Sequence, residues 1–191
     1  GTTVVISTHD VDLAYAWADE IHVLRRGKLI YSGTSEEFYS DPVQVYLTGV
    51  MQPSMFLINK SLCDMRGTEE APYPRTETQL VSKMASGPKG RFVIIPVDES
   101  MQPSMVDNAV GSLGGTEIRL GLFGYNTRRL LPDSGVPVDY VFDRFESCMS
   151  ECLMGRDVVL LCDRECVDLV ESKIRRLEDF GTVIEWSVLD P

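Results

Sequence analysis

The sequence predicts an α/β protein: a five-stranded, mostly parallel sheet with flanking helices over residues 91–191, preceded by a strand, a helix and a hairpin within residues 1–48. Two observations carry this. Apolar runs of strand length recur at 92–97, 118–123, 138–142, 158–162 and 183–188, with helix-like stretches at 103–113, 126–131, 145–154 and 166–180 between them. Strand and helix in alternation imply βαβ crossovers and hence parallel pairing. The longest apolar stretches, 92–97 and 158–162, are also of strand length, and the alternation with helices implies a sheet covered on both faces.

In chain order, residues 2–7 (Thr-Thr-Val-Val-Ile-Ser) read as a buried, β-branched strand broken by Thr8-His9-Asp10. Leu13 and Trp17, with Ala14 and Ala18, recur at helical spacing over 12–20. Residues 21–24 and 29–31 flank Arg26-Gly27-Lys28 as a hairpin. Thr34 with Glu37 has the spacing of a capping box, so a short helix starts there and ends at Asp41-Pro42. In the less regular stretch 49–90, residues 53–65 form a candidate helix with Met55, Leu62 and Met65 on one side. A second, at 74–85, is opened by Pro74 and Thr76, and 86–90 (Ser-Gly-Pro-Lys-Gly) has linker composition. Asp143 and Glu146 mark the start of the helix at 145–154. The expected organisation is therefore 1–48, 49–90 and 91–191. Met-Gln-Pro-Ser-Met occurs at both 51–55 and 101–105, but the flanks do not align, so it is not a 50-residue repeat; each Pro-Ser opens a helix.

Composition narrows the function classes. At 191 residues and 43% hydrophobic, the chain has enough apolar mass for a core. A net charge of −11 argues against nucleic acid as a partner. No apolar run is long enough to span a bilayer, and no secretory signal is visible. Five cysteines in that setting read as free thiols in a reducing compartment. The chain enters its first strand without an initiator Met, so a fragment of a longer protein is expected.

The stretch Thr3-Val4-Val5-Ile6-Ser7-Thr8-His9-Asp10 is followed by Asp12, Ala14 and Ala18-Asp19. Then come Val23-Leu24-Arg25-Arg26-Gly27-Lys28 and Ser32-Gly33-Thr34-Ser35-Glu36-Glu37. In order and spacing this resembles the end of the nucleotide-binding domain of an ABC transporter ATPase. Residues 10–19 are most similar to the cobalt/nickel energy-coupling-factor importers. The resemblance implies that His9 is the switch histidine, at once the catalytic and the nucleotide-contacting residue, and that 1–48 is the tail of that domain. It also implies ATP and Mg²⁺ as cofactors of the parent protein, membrane subunits and a second ATPase copy (a homodimer) as partners, and a position on the cytoplasmic face of the membrane. Residues 53–62 and 74–84 resemble the helical tail of those importer ATPases. The departures are as informative. The sequence has no Gly-x-x-x-x-Gly-Lys-Ser/Thr loop, no strand ending in Asp-Glu and no Gly-rich signature segment. A lone histidine has no phosphate cradle to work with, so the fragment by itself is expected neither to hydrolyse ATP nor to carry a cofactor.

Asp98, Asn126, Asp143 and Asp163 fall at the carboxyl ends of candidate strands, where open α/β sheets bind ligands; the same residue types also cap helices. Cys148 and Cys152, like Cys162 and Cys166, are four apart, but core packing accounts for them better than a metal site, and no metal ligand is assigned. His22, inside a short strand, is read as structural. With Asp98-Glu99 where a Gly-rich turn would stand, a dinucleotide site is disfavoured, and the acidic α/β region reads as a regulatory or interaction domain. The competing class is a non-enzymatic ligand- or metal-sensing module that regulates a transporter ATPase.

Overall fold

The computed structural model describes residues 2–113, 118–130, 139 and 144–190. The chain divides into two compact units, Gly1–Leu80 and Val81–Pro191. The sequence reading put its last boundary at 90/91, inside the second unit.

In the first unit, residues 2–7 form no strand, which corrects the expectation. Val4, Val5 and Ile6 are 73%, 90% and 59% exposed. β-branched residues favour an extended chain, but a strand exists only where a neighbour pairs with its backbone, and no described segment does so here. Helix α1 (Val11–Trp17) begins where Asp10 Oδ1 accepts from the Leu13 amide at 3.0 Å. Strands β1 (Ile21–Arg25) and β2 (Lys28–Gly33) pair antiparallel. Their turn residues Arg26 and Gly27 both have positive φ (50° and 74°), the backbone that a twisted two-residue hairpin requires.

Thr34 Oγ1 accepts from the Glu37 amide at 3.3 Å and caps α2 (Ser35–Ser40). Glu37 turns its carboxylate to the Tyr31 hydroxyl (3.2 Å). A helix not expected from the sequence follows, α3 (Pro42–Thr48). Asp41 ends α2 and also accepts from the Val43 and Gln44 amides, with Pro42 in the first turn, where a missing N–H costs nothing. Helix α4 (Ser54–Arg66) runs as predicted, but its buried side is Phe56, Asn59 and Cys63. Met65, read as sharing one side with Met55 and Leu62, is 83% exposed. Thr76 Oγ1 accepts from the Gln79 amide at the start of α5 (Glu77–Met84), inside which the division between units falls. The core of this unit is aromatic: Tyr15, Phe38, Tyr39 and Phe56 are buried, and Tyr73 stacks on Phe56 at 5.5 Å.

The second unit carries a parallel sheet of β3 (Phe92–Val97), β4 (Arg119–Phe123), β5 (Val158–Asp163) and β6 (Trp186–Val188), in the order β4-β5-β3-β6. Every residue of β3 and β5 is buried, as their unbroken apolar runs require. One face (Phe92, Ile94, Val158, Leu160, Cys162) packs under α8 (Arg144–Leu153) and α9 (Val167–Arg175). The other (Val93, Ile95, Val97, Leu120, Leu122, Val159, Leu161) packs under α6 (Pro103–Ser112). The short α7 (Asn126–Leu130) follows β4. The α/β class with a parallel sheet and flanking helices is thus observed. The candidate strand 138–142 and Asp143 lie outside the described residues, except for Asp139, whose backbone N–H donates to the Leu120 carbonyl at 3.0 Å. The predicted helix 166–180 is interrupted: α9 ends at Arg175, and a 3-10 turn Glu178–Phe180 closes at Gly181 with φ 82°. Among the described residues, no helix is long and apolar enough to cross a membrane.

Candidate functional site

His9 stands exposed in an irregular segment just ahead of α1. Its neighbours hold that segment locally: the Asp10 amide donates to Thr8 Oγ1 at 3.0 Å, while the Asp10 side chain caps α1. The helix behind His9 is itself held at three points. Asp12, in its first turn, accepts from the Ser54 amide at 2.6 Å and from Ser54 Oγ at 3.2 Å. Tyr15 lies edge-on to Tyr39 (5.9 Å) and Phe56 (6.1 Å). The carbonyl of Ala18, which closes the helix, accepts from Arg75 Nη1 at 2.6 Å, and Arg75 also pairs with Glu36 at 2.6 Å. Asp12 was marked in the sequence only as part of the family motif, with no role, and Arg75 was not singled out at all. The available signal was Pro53-Ser54 opening a helix with no polar residue in the cap position, which leaves that N-terminus to a carboxylate from elsewhere.

The carboxylates at the sheet's carboxyl edge do different jobs. Asp163 is buried, and its oxygens accept from the amides of Tyr125 (2.7 Å), Asn126 (3.0 Å) and Thr127 (3.0 Å), so it caps the helix after the neighbouring strand, not the one after its own. A Cβ at Gly124, whose φ is +127°, would meet Asp163 Cγ at 2.1 Å, so glycine is required at this close approach. Asp98 accepts from the Ser100 amide at 2.9 Å and hydroxyl at 2.5 Å, and lies 3.5 Å from Arg164 Nε. These bonds hold its carboxyl below the usual carboxylate range, the Ser100 hydroxyl contributing most. Arg164 also pairs with Asp190 at 2.8 Å. Asn126 is the first residue of α7. Among the described residues, no three His, Cys, Asp or Glu side chains come together as a metal site.

All five cysteines are free. Cys148, Cys152 and Cys162 sit in the core beside Phe92, Ile94 and Leu160, and burial pushes each thiol up to about 12. Such thiols carry almost no thiolate, so they pack and do not react. The His22 Nδ1 meets the Ser32 hydroxyl at 2.9 Å across the hairpin, which fits its structural reading.

Similarity to known proteins extends past the His9 segment. An energy-coupling factor transporter ATP-binding protein EcfA2 of Methanospirillum hungatei is 25% identical over 184 residues, covering 91% of this chain and 46% of the relative. An EcfA2 of Lacticaseibacillus paracasei is 32% identical over 94 residues (47% of this chain, 32% of the relative). A cobalt import ATP-binding protein CbiO of Salmonella typhi is 30% identical over 84 residues (44% and 28%). This chain is a relative of energy-coupling-factor ATP-binding proteins. It spans less than half the length of each of these three relatives. The Methanospirillum alignment, with only 9% of the chain outside it, necessarily includes most of the α/β unit. No family profile and no solved structure matches the chain.

Proposed function

We propose that this chain is the C-terminal part of the ATP-binding subunit of an ABC-type metal importer, cobalt being the substrate. Residues 1–48 would be the tail of its nucleotide-binding domain, 49–90 a helical extension and linker, and 91–191 an appended α/β regulatory or interaction domain. One observation carries the reading: His9, in its motif, is followed by the helix, hairpin and capped helix expected after a switch histidine; the relatives, named as energy-coupling factor transporter and cobalt import ATP-binding proteins, support it. The partners would be the importer's membrane subunits and a second copy of the ATPase, with the protein peripheral to the inner face of the membrane.

His9 is exposed and can offer a hydrogen bond to a phosphate oxygen, so it fits one contact of a bound ATP·Mg²⁺. When bound, that group supplies the free energy of phosphoanhydride hydrolysis. The residues that would cradle it are not in this sequence. This chain's share is to present one polar side chain on a loop fixed by Asp10 and α1.

The test uses the complete subunit encoded by the same reading frame. His9→Ala should lower ATP turnover by at least tenfold while leaving ATP affinity within about twofold, because it removes a contact to the reacting phosphate and not the cradle. Equal losses in turnover and affinity, or no loss, would reject the assignment.

A further inference from the structure

We infer that Asp12 and Arg75 are positioning residues for His9, through which segment 49–80 sets where the histidine loop lies. This rests on the reading of His9 given above. Seven residues make barely two turns, too short to be a stable helix alone, so α1 takes its position from what it touches. Asp12 and Tyr15 lie three residues apart and share a face, and Ala18 follows as the residue that ends the helix. Together they meet Ser54 and Phe56 of α4, Tyr39 of α2, and Arg75 just ahead of α5.

The two end contacts are charge-assisted and local to the helix termini. Pro53 contributes no side-chain bond to the start of α4, so the Asp12 carboxylate satisfies the Ser54 amide and sits where a helix N-terminus favours negative charge. At the other end of α1, the Arg75 guanidinium donates to the carbonyl of Ala18, the residue that ends the helix, while Glu36 fixes its orientation (Nε to Oε1, 2.7 Å). A helix held at both ends and in the middle moves as one piece. His9 is separated from it only by Asp10, which is itself bonded to Leu13. A shift of the start of α4, or of residue 75, therefore carries over to His9 with little slack. The extension does not merely follow the nucleotide-binding tail; it aims the histidine.

The test begins on residues 1–191, where only two histidines are present and His22 serves as an internal reference. Asp12→Ala and Arg75→Ala should each shift and broaden the His9 ring signals in NMR. They should also speed amide exchange within Val11–Trp17 by at least tenfold, leaving His22 and the amides of β3 and β5 unchanged. Asp12→Asn, which keeps one oxygen for the Ser54 amide, should restore most of the native behaviour. If Asp12→Ala fails to fold, Ser54→Ala removes only the hydroxyl bond and should give a smaller change of the same kind. Faster exchange in α1 with unmoved His9 signals, or His9 and His22 changing together, would overturn the inference.

In the complete subunit, Asp12→Ala should lower kcat by about ten- to a hundredfold, the scale on which small misplacements act, with KM for ATP unchanged. It should cost nothing further in a His9→Ala background; an equal loss in both backgrounds would overturn the positioning role. If the NMR response appears but turnover is indifferent to His9→Ala, the coupling stands and the assignment of His9 fails.

Discussion

Asp163→Ala should be the most damaging single truncation at the carboxyl edge of the sheet, and the structure sets its size. The carboxylate is 2% exposed and accepts three backbone hydrogen bonds. Bonds to a charged acceptor contribute about 1.5–3 kcal/mol each, and a buried donor left unpaired costs about 1–3 kcal/mol. Thr127 is fully buried and its amide has nowhere to turn, whereas the neighbouring Tyr125 is 80% exposed and water can reach that part of the turn. The expected loss is therefore below the sum, at about 3–5 kcal/mol, a large part of the roughly 5–15 kcal/mol that holds a domain folded. Gly124→Ala should also destabilise, since its Cβ would collide with the same carboxyl group. The two should be less than additive: with Asp163 already cut back, the collision with its carboxyl group disappears, while the approach to the Cβ of residue 163 (2.6 Å) and the strain of φ +127° remain. Urea unfolding of the whole chain would measure this, with exposed Trp17 replaced by Phe so that Trp186 alone reports on the second unit. A loss below about 1 kcal/mol for Asp163→Ala, or strict additivity with Gly124→Ala, would refute the capping argument.

Three further outcomes follow from the remaining geometry. Tyr15→Phe should be neutral or stabilising by up to about 1 kcal/mol in thermal unfolding, because among the described residues the buried Tyr15 hydroxyl has no hydrogen-bond partner to lose. A thiol reagent at pH 8 should modify Cys166 first in the folded protein, reaching Cys63, Cys148, Cys152 and Cys162 only on unfolding; mass spectrometry of the native protein showing a second label would contradict this. Arg91 grips Asp157 by its amide (2.9 Å) and guanidinium (2.5 Å), with the side-chain bonds first in holding that carboxyl below its ordinary value. A depressed carboxyl stabilises the fold above the unfolded pKa near 3.9 and loses that contribution as pH falls through its lower folded value. The gap in melting temperature between the wild type and Asp157→Asn should therefore be constant from pH 7 to about 5 and close below about 4. The pair is partly exposed, so solvent screening keeps its contribution small.

What the sequence disclosed and what it concealed divide along the range of the interactions. The runs at 92–97 and 158–162 could be placed because burial on both faces writes itself as an unbroken apolar string, and β3 and β5 are indeed buried throughout. Thr34 and Thr76 could be read as helix starts because a cap bonds only two or three residues onward. Asp41-Pro42 misled because the pair has two local meanings, the end of one helix and the start of the next, and both are realised. Residues 2–7 misled for the opposite reason: β-branching is local, but a strand needs a partner. The candidate site shows the same divide. The motif marked His9, yet Asp12 to Ser54 and Arg75 to Ala18 join residues 42 and 57 apart, and no spacing rule covers such distances. Asp163 was noticed as a possible cap, but for the helix after its own strand. Parallel pairing of β4 with β5 brings the turn after Phe123 beside Asp163 instead.

The duplicated Met-Gln-Pro-Ser-Met shows how little of this a short word can decide. Both copies open a helix, α4 from Ser54 and α6 from Pro103, but Pro53 is the extended cap residue ahead of α4, whereas Pro103 is the first residue of α6, where its missing N–H would be unpaired in any case. There the likeness stops. Met51 is 77% exposed, whereas Met101 is 7% exposed and packs with Val97 and Val106 under the sheet. Gln52 donates from its side chain to the Tyr39 carbonyl at 2.9 Å, while Gln102 is the uncapped residue before α6. Ser54 receives the Asp12 carboxylate. The five residues specify where a helix begins; the surrounding fold specifies what that beginning is for. At 51–55 the answer is a socket for the helix behind His9, and at 101–105 it is an anchor for the layer over β3.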